Sequence, residues 1–279
     1  MWLADDLIDR ERYPIHKDGP ARDALLAKVR ADLAQDGCAV IKGFLTQAGV
    51  AALTDEADSV ADQGHRSYNR TNAYFTADNP DLPEDDPRRQ FFDRSNAFIP
   101  ADNFPKTGPL RVIHDSAGFD DFIRDCLQET RFFRYADPLA DVIVNMAEEG
   151  NGFPWHFDTN NYTVTLAIQN AEAGGAFEYA PMIREKDENF DEVSRVLSGT
   201  SDRVKVLHME PGDLQLFKGR YSLHRVAPLR GTRRRYVAIF SYVEEPGMVG
   251  APERTRQLYG RTLPIHHERA GKRGDALID

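Results

Sequence analysis

Trp155-His156-Phe157-Asp158-Thr159 carries an imidazole and a carboxylate two residues apart, in a stretch that reads as the start of a strand. Side chains at i and i+2 of a strand share a face. His156 and Asp158 are therefore expected to aim at one point. A lone His-x-Asp is common and usually structural, so its weight comes from the pattern of residues downstream. Asn161–Gln169 alternates, with Thr163, Thr165 and Ala167 on one face and Val164, Leu166 and Ile168 on the other. Gly174-Gly175 makes a turn, Glu210-Pro211-Gly212-Asp213 makes another, and Leu214–Phe217 reads as a strand. His224 comes next, and Arg235 then opens the β-rich run Arg235–Tyr242.

His156, Asp158 and His224 together would form a two-histidine, one-carboxylate face that leaves coordination positions open, the arrangement typical of non-haem Fe(II) oxygenases. Arg235 offers a planar fork that suits a carboxylate. Arg233 shares its strand face by parity and is the rival for that role, whereas Arg234 points the other way.

The wording Trp-His-Phe-Asp-Thr-Asn, Thr-Val-Thr-Leu, Gly-Gly-Ala-Phe-Glu-Tyr-Ala-Pro and His-Arg-Val-Ala-Pro, within about Asp141 to Val243, resembles the Fe(II)/2-oxoglutarate-dependent oxygenases. It is most similar to the radical halogenases and hydroxylases that act on free amino acids. In the halogenases of that group the carboxylate position is Gly, which leaves room for chloride on iron. Asp158 stands there in this chain, which implies a hydroxylase. The resemblance further implies Fe(II) on His156, Asp158 and His224, with 2-oxoglutarate and O2 as cosubstrates and succinate and CO2 as products. Arg235 would meet the far carboxylate of 2-oxoglutarate, with Asn145 and Thr165 as further cosubstrate contacts. The substrate implied is a small molecule, a free amino acid, with lysine or another basic one as the leading expectation. Arg94, Thr159, Glu178 and Ser241 are the candidates to hold it. Two other classes stay open: another cupin-type metalloenzyme, an isomerase or hydrolase, and a non-catalytic ligand-binding barrel.

The rest of the chain suits that reading. With 279 residues and 41% hydrophobic content, it can bury a sizeable core. Its 45 acidic against 35 basic residues give a net charge of -10, which disfavours nucleic acid and anionic membranes as partners. Only two cysteines, Cys38 and Cys126, are present, too few for a disulfide framework. They read as buried free thiols. Met1–Pro14 has no apolar core of a signal peptide, and a cytoplasmic protein is expected. A homodimer is left open.

Along the chain, residues 21–36 and 46–63 read as amphipathic helices flanking a short strand from Cys38 to Phe44, with Thr46 as an N-cap. Gly64–Pro87 reads as a long loop, and residues 64–93 are a candidate lid. Ser116–Gln128 is a helix, Asp141–Met146 a strand, and Met182–Arg203 an inserted polar loop with a short helix near Phe190–Leu197. Strands are expected at Val204–His208, Leu214–Phe217, Leu223–Val226 and Arg233–Val243. His266-His267 in the tail reads as solvent-exposed and a poor chelate. The fold class expected is α+β: one domain over 1–279, with a jelly-roll, cupin-like double-stranded β-helix core and N-terminal helices packed outside. Residues 1–135 would be mainly helical support and the lid loop, 136–245 the metal-binding core and 246–279 a tail.

Overall fold

Pro20 and Gly37 bracket the first long helix. Proline at the first helical position needs no donor, and Gly37 closes the helix in the left-handed region at φ 63°. The computed structural model describes residues 1–269. The helices are α1 (Ala4–Leu7), α2 (Pro20–Asp36), α3 (Gln47–Val60), α4 (Pro109–His114), α5 (Phe119–Leu127), α6 (Phe190–Leu197), α7 (Pro252–Tyr259) and α8 (Pro264–Glu268). Thr46 caps α3 as expected, its hydroxyl accepting from the Gly49 amide at 2.9 Å.

The strands of the first half are β1 (Cys38–Ile41), β2 (His65–Thr71), β3 (Phe92–Ile99), β4 (Phe133–Arg134), β5 (Val142–Ala147), β6 (Phe153–His156) and β7 (Thr163–Gln169). Those of the second half are β8 (Ala173–Gly174), β9 (Phe177–Ala180), β10 (Lys205–Leu207), β11 (Leu214–Phe217), β12 (Leu223–Val226), β13 (Leu229–Arg230), β14 (Arg235–Phe240) and β15 (Tyr242–Val243). Two antiparallel sheets dominate: a seven-stranded one in the order β1-β11-β7-β14-β5-β3-β2, and a four-stranded one in the order β10-β9-β12-β6. They enclose the double-stranded β-helix expected for this chain.

The large sheet sorts its residues by parity. Leu214, Leu166, Ala238, Val144 and Ile99 face one another across five strands, and all belong to the main apolar core with the residues of α2, α3 and α5. One residue along, Gln215, Thr165, Ile239 and Ile143 pair across four strands and line a cavity between the sheets. The helices thus cover the outer face, as expected, and the inner face is left for chemistry. Cys38 and Cys126 are both buried and free.

Three expectations are corrected. Gly64–Pro87 is not all loop: His65–Thr71 forms β2, a seven-residue strand paired throughout with β3. The C-terminal region carries two packed helices, α7 and α8; its last ten positions, 270–279, lie outside the described residues. His266 is fully buried rather than exposed: its Nδ1 accepts from the Leu263 amide at 2.8 Å, and its Nε2 lies 2.9 Å from Asp137. Proline at the start of α8 makes the helix turn there, which folds His266 inward while His267 stays outside. No helix among the described residues is long and apolar enough to cross a membrane.

Candidate metal centre

β6 and β12 lie side by side in the smaller sheet, and their register sets His156 directly opposite His224. The two rings come to 4.1 Å between centroids. Each ring is oriented by its own strand. His156 Nδ1 donates to the Pro154 carbonyl at 2.8 Å, and His224 Nδ1 donates to the Ser222 carbonyl at 2.9 Å. A carbonyl can only accept, so the proton sits on Nδ1 and the Nε2 lone pair is free to bind a metal. Both Nε2 atoms face Asp158 Oδ1, at 3.6 Å from His156 and 3.4 Å from His224. One ligand atom from each of the three residues falls within 4.8 Å of the other two, the spacing of a facial three-ligand site.

Asp158 reaches this point differently from the way strand alternation suggests. β6 ends at His156, and Asp158 lies just beyond it, its amide donating to the Gly219 carbonyl at 3.1 Å. A Cβ on Gly219 would sit 1.8 Å from Asp158 Oδ2, so only glycine leaves room for the carboxylate. Thr163 donates a short hydrogen bond to that same Oδ2, which leaves Oδ1 for the metal. Burial raises the carboxyl pKa, but the facing imidazoles of His224 and His156 outweigh it and hold Asp158 well below the usual carboxylate range. Burial, helped by the His224 ring, lowers His156 to about 3, which keeps its imidazole neutral and able to ligate. Two imidazoles and one carboxylate suit a divalent ion of the Fe(II) class.

The cavity holding these ligands is about 260 Å3, at or below the small end of ligand pockets, which run from roughly 300 to 1,000 Å3. Arg235, Asn145, Thr165, Arg94, Thr159 and Ser241 all line it. Glu178 does not: it sits on β9 in a 2.7 Å ion pair with Arg225, and is corrected as a substrate contact. Arg233 and Arg235 differ in placement at the strand start. Arg233 is exposed and donates to the Asn170 and Ala171 carbonyls, whereas Arg235 points into the cavity. Desolvation lowers Arg235 to about 10, and among the described residues no carboxylate lies within ion-pair reach of it. A half-buried guanidinium with no carboxylate in reach among the described residues suits an anion. Asn145 donates to the Ala97 carbonyl at 3.3 Å, and Thr165 donates to Gln215 at 2.8 Å; both serve the wall as well as the cavity.

Three residues of the site carry no signal in the local pattern of the sequence: Gly219, which makes room for the carboxylate, and Phe75 and Arg254, which form the outer wall; Thr163 shows in the alternation of its strand, but its bond to Asp158 does not. Arg254 stands on α7, in a stretch that reads as a polar tail. Phe75 comes from the expected lid. That segment is organised by Asn72, whose Oδ1 accepts from the Tyr74 and Thr76 amides and whose Nδ2 donates to Thr76 and the Arg88 carbonyl.

Comparison with known proteins bears on the same features. A 2OG-Fe(II) oxygenase family protein from Burkholderia pseudomallei superposes with a TM-score of 0.53 at 11% identity, over 82% of this chain and 93% of that one. A prolyl hydroxylase from Trichoplax adhaerens, solved with a hypoxia inducible factor peptide, gives 0.54 at 17% identity over 80% and 90%. The alpha-ketoglutarate-dependent epimerase SnoN of nogalamycin biosynthesis gives 0.54 at 12% over 80% and 83%. At these identities the likeness is one of fold. No curated protein matches the chain in sequence. The sequence model of the halogenase D family matches residues 21–249, which takes in every strand and all three candidate metal ligands, and the chain therefore belongs to the HalD family.

Proposed function

We propose that this protein is an Fe(II)/2-oxoglutarate-dependent dioxygenase that hydroxylates an unactivated C–H bond of a small molecule, a free amino acid or a close relative of one. The observation that carries the reading is the convergence of His156, Asp158 and His224 on one point beside the uncompensated Arg235. His156 and His224 would hold the metal through Nε2, and Asp158 through Oδ1. Arg235 binds the far carboxylate of 2-oxoglutarate as a planar fork. Thr165 and Asn145 line the cavity beside it. When bound, Fe(II) with 2-oxoglutarate and O2 supplies the oxidation, releasing succinate and CO2 and placing one oxygen atom on the substrate. The chain positions the substrate, and the walls of Phe75, Phe153, Phe177 and Phe217 exclude water.

The family name raises halogenation as a second reading. Asp158 weighs against it, because its carboxylate fills the position that a halide on the metal would need. Thr163 and Gly219 fit that carboxylate specifically. An isomerase or hydrolase on the same three ligands would have no use for Arg235. Anaerobic reconstitution with Fe(II) and 2-oxoglutarate, then exposure to oxygen with a panel of amino acids, tests the proposal. Succinate coupled to one added oxygen on a substrate is the expected result. Absence of Fe(II)-dependent 2-oxoglutarate binding overturns it. Asp158→Gly in chloride separates the two reaction outcomes: loss of hydroxylation supports Asp158 as a ligand, and unchanged hydroxylation refutes that role.

A further inference from the structure

The cavity wall beside His156 carries two arginines. Arg94, on β3, stacks over the Phe153 ring at 4.0 Å and over the Phe75 ring at 4.8 Å. Arg254, on α7, lies over the same Phe75 ring at 4.7 Å. Two guanidinium groups from distant parts of the chain thus meet across one aromatic ring, which in turn lies 5.5 Å from the His156 ring. Phe75 holds a positive φ of 59°, in the left-handed region that bulky residues rarely adopt. Backbone strain of that kind persists where the surroundings enforce it, and it concentrates at ligand sites. Here it is enforced by the Asn72 turn, and it presents the ring to both arginines.

Like charges repel, and Arg94, which is buried, and Arg254, which is half-buried, each lose water. Desolvation and the neighbouring Arg254 pull Arg94 well below the ordinary arginine value, and desolvation lowers Arg254 too. The single hydrogen bond of the Arg254 guanidinium among the described residues goes to the neutral amide of Gln257, at 3.1 Å. Two carboxylates line the cavity, Asp158 and Asp137. Asp158 is the proposed metal ligand. Asp137 is engaged on both oxygens: Oδ1 accepts from the Leu139 amide, and Oδ2 accepts from the Gly250 amide and faces His266 Nε2. It seats the start of α7 and so positions Arg254. Among the described residues, no carboxylate in the wall is left for the ammonium of a basic side chain.

Fe(II) and 2-oxoglutarate cancel in charge, so the balance rests on the chain. Arg94, Arg235 and Arg254 against Asp137 and Asp158 leave an excess of one positive charge in the cavity wall. We infer that the substrate is a small carboxylic acid of net negative charge, whose carboxylate is clamped by Arg94 and Arg254 over the Phe75 ring. This rests on the oxygenase reading and reverses the expectation of a basic amino acid. Arg254 lies on α7, beyond the 21–249 span that matches the family, whereas Arg94 lies within it.

The test is calorimetric binding to the full-length protein under anaerobic conditions, with Fe(II) and saturating 2-oxoglutarate. The probes are L-glutamate and hexanoate as monoanions, L-norleucine as neutral and L-lysine as cationic. The monoanions are expected to bind at least about tenfold more tightly than L-norleucine, with L-lysine weakest, as one charge-assisted hydrogen bond would provide. Arg254→Gln should weaken all four carboxylate probes and the monoanions most, removing that preference, while 2-oxoglutarate binds as before, which also shows the variant folded. Arg254→Lys should restore part of it. The inference is overturned if L-lysine binds most tightly, if no monoanion binds, or if Arg254→Gln leaves the ratio of monoanion to neutral affinity unchanged. Arg235→Gln should weaken 2-oxoglutarate and leave hexanoate alone. If 2-oxoglutarate gains nothing from Fe(II), the oxygenase reading fails, whereas Arg254-dependent hexanoate binding to the metal-free protein is read independently of it.

Discussion

The two faces of the large sheet are built from the same strands, one residue apart, and differ in kind. On the outer face the row Leu214, Leu166, Ala238, Val144 and Ile99 is sealed under the helices. On the inner face the row Gln215, Thr165, Ile239 and Ile143 borders the cavity, with Arg235 near its end. The outer row is held by area removed from water, at roughly 25 cal/mol per Å2. The inner face gives up part of that stabilisation to keep a desolvated cation and open metal positions. Stability and function are thus assigned to alternate residues of one strand.

Breaking the metal centre should have the largest effect. His224→Ala removes a proposed ligand and is expected to cost turnover by at least ~10^3-fold, several kcal/mol of transition-state stabilisation, while the outer row keeps the melting temperature of the metal-free protein nearly unchanged. Metal content and succinate release check this.

The outer side has its own buried histidine, which sharpens the contrast. Among the described residues, His114 on α4 has no hydrogen bond to either ring nitrogen, and it lies 5.3 Å from the Phe240 ring. Burial, with the nearby Arg134, lowers it from 6.5 to about 3. Between those values the unfolded chain binds a proton and the folded one does not, so stability falls as pH falls through that window. The loss at its lower end is on the order of 4 kcal/mol. His114→Leu should flatten the acid limb of a stability-against-pH curve, and an unchanged limb would refute the assignment.

Leu166→Ala should cost about 2–5 kcal/mol of stability by opening a cavity in the outer row, with the affinity for 2-oxoglutarate unchanged in the folded protein. Arg235→Gln, on the inner face, should act in the opposite sense. It removes a half-buried charge with no carboxylate partner among the described residues, so the melting temperature holds or rises, while 2-oxoglutarate affinity drops by about 10- to 100-fold. Thr163→Val is the mildest change. It frees Oδ2 of Asp158 and should weaken metal binding by about tenfold, as loss of a partner to a ligand does.

Much of this was legible in the sequence because it is local. Period-two alternation in Asn161–Gln169 named both faces of β7, and Thr46 and Gly37 marked the helix ends. His156, Asp158, His224 and Arg235 stood out because their residue types and order carry a chemistry. What stayed hidden depends on partners remote in sequence. β2 was missed because its composition is polar, and its strand conformation comes from pairing with β3. His266 read as exposed because nothing near it announces Asp137, a partner far earlier in the chain.

The sequence by itself determined the periodicities, the turns and the set of ligand types, since these depend on each residue and its near neighbours. Only the tertiary structure decided that β12 lies beside β6 in a register placing His224 opposite His156, that Gly219 makes room for Asp158, and that Arg94 and Arg254 share the Phe75 ring. Those are contacts between segments far apart along the chain, and they arise from strand register and packing, which no local pattern encodes.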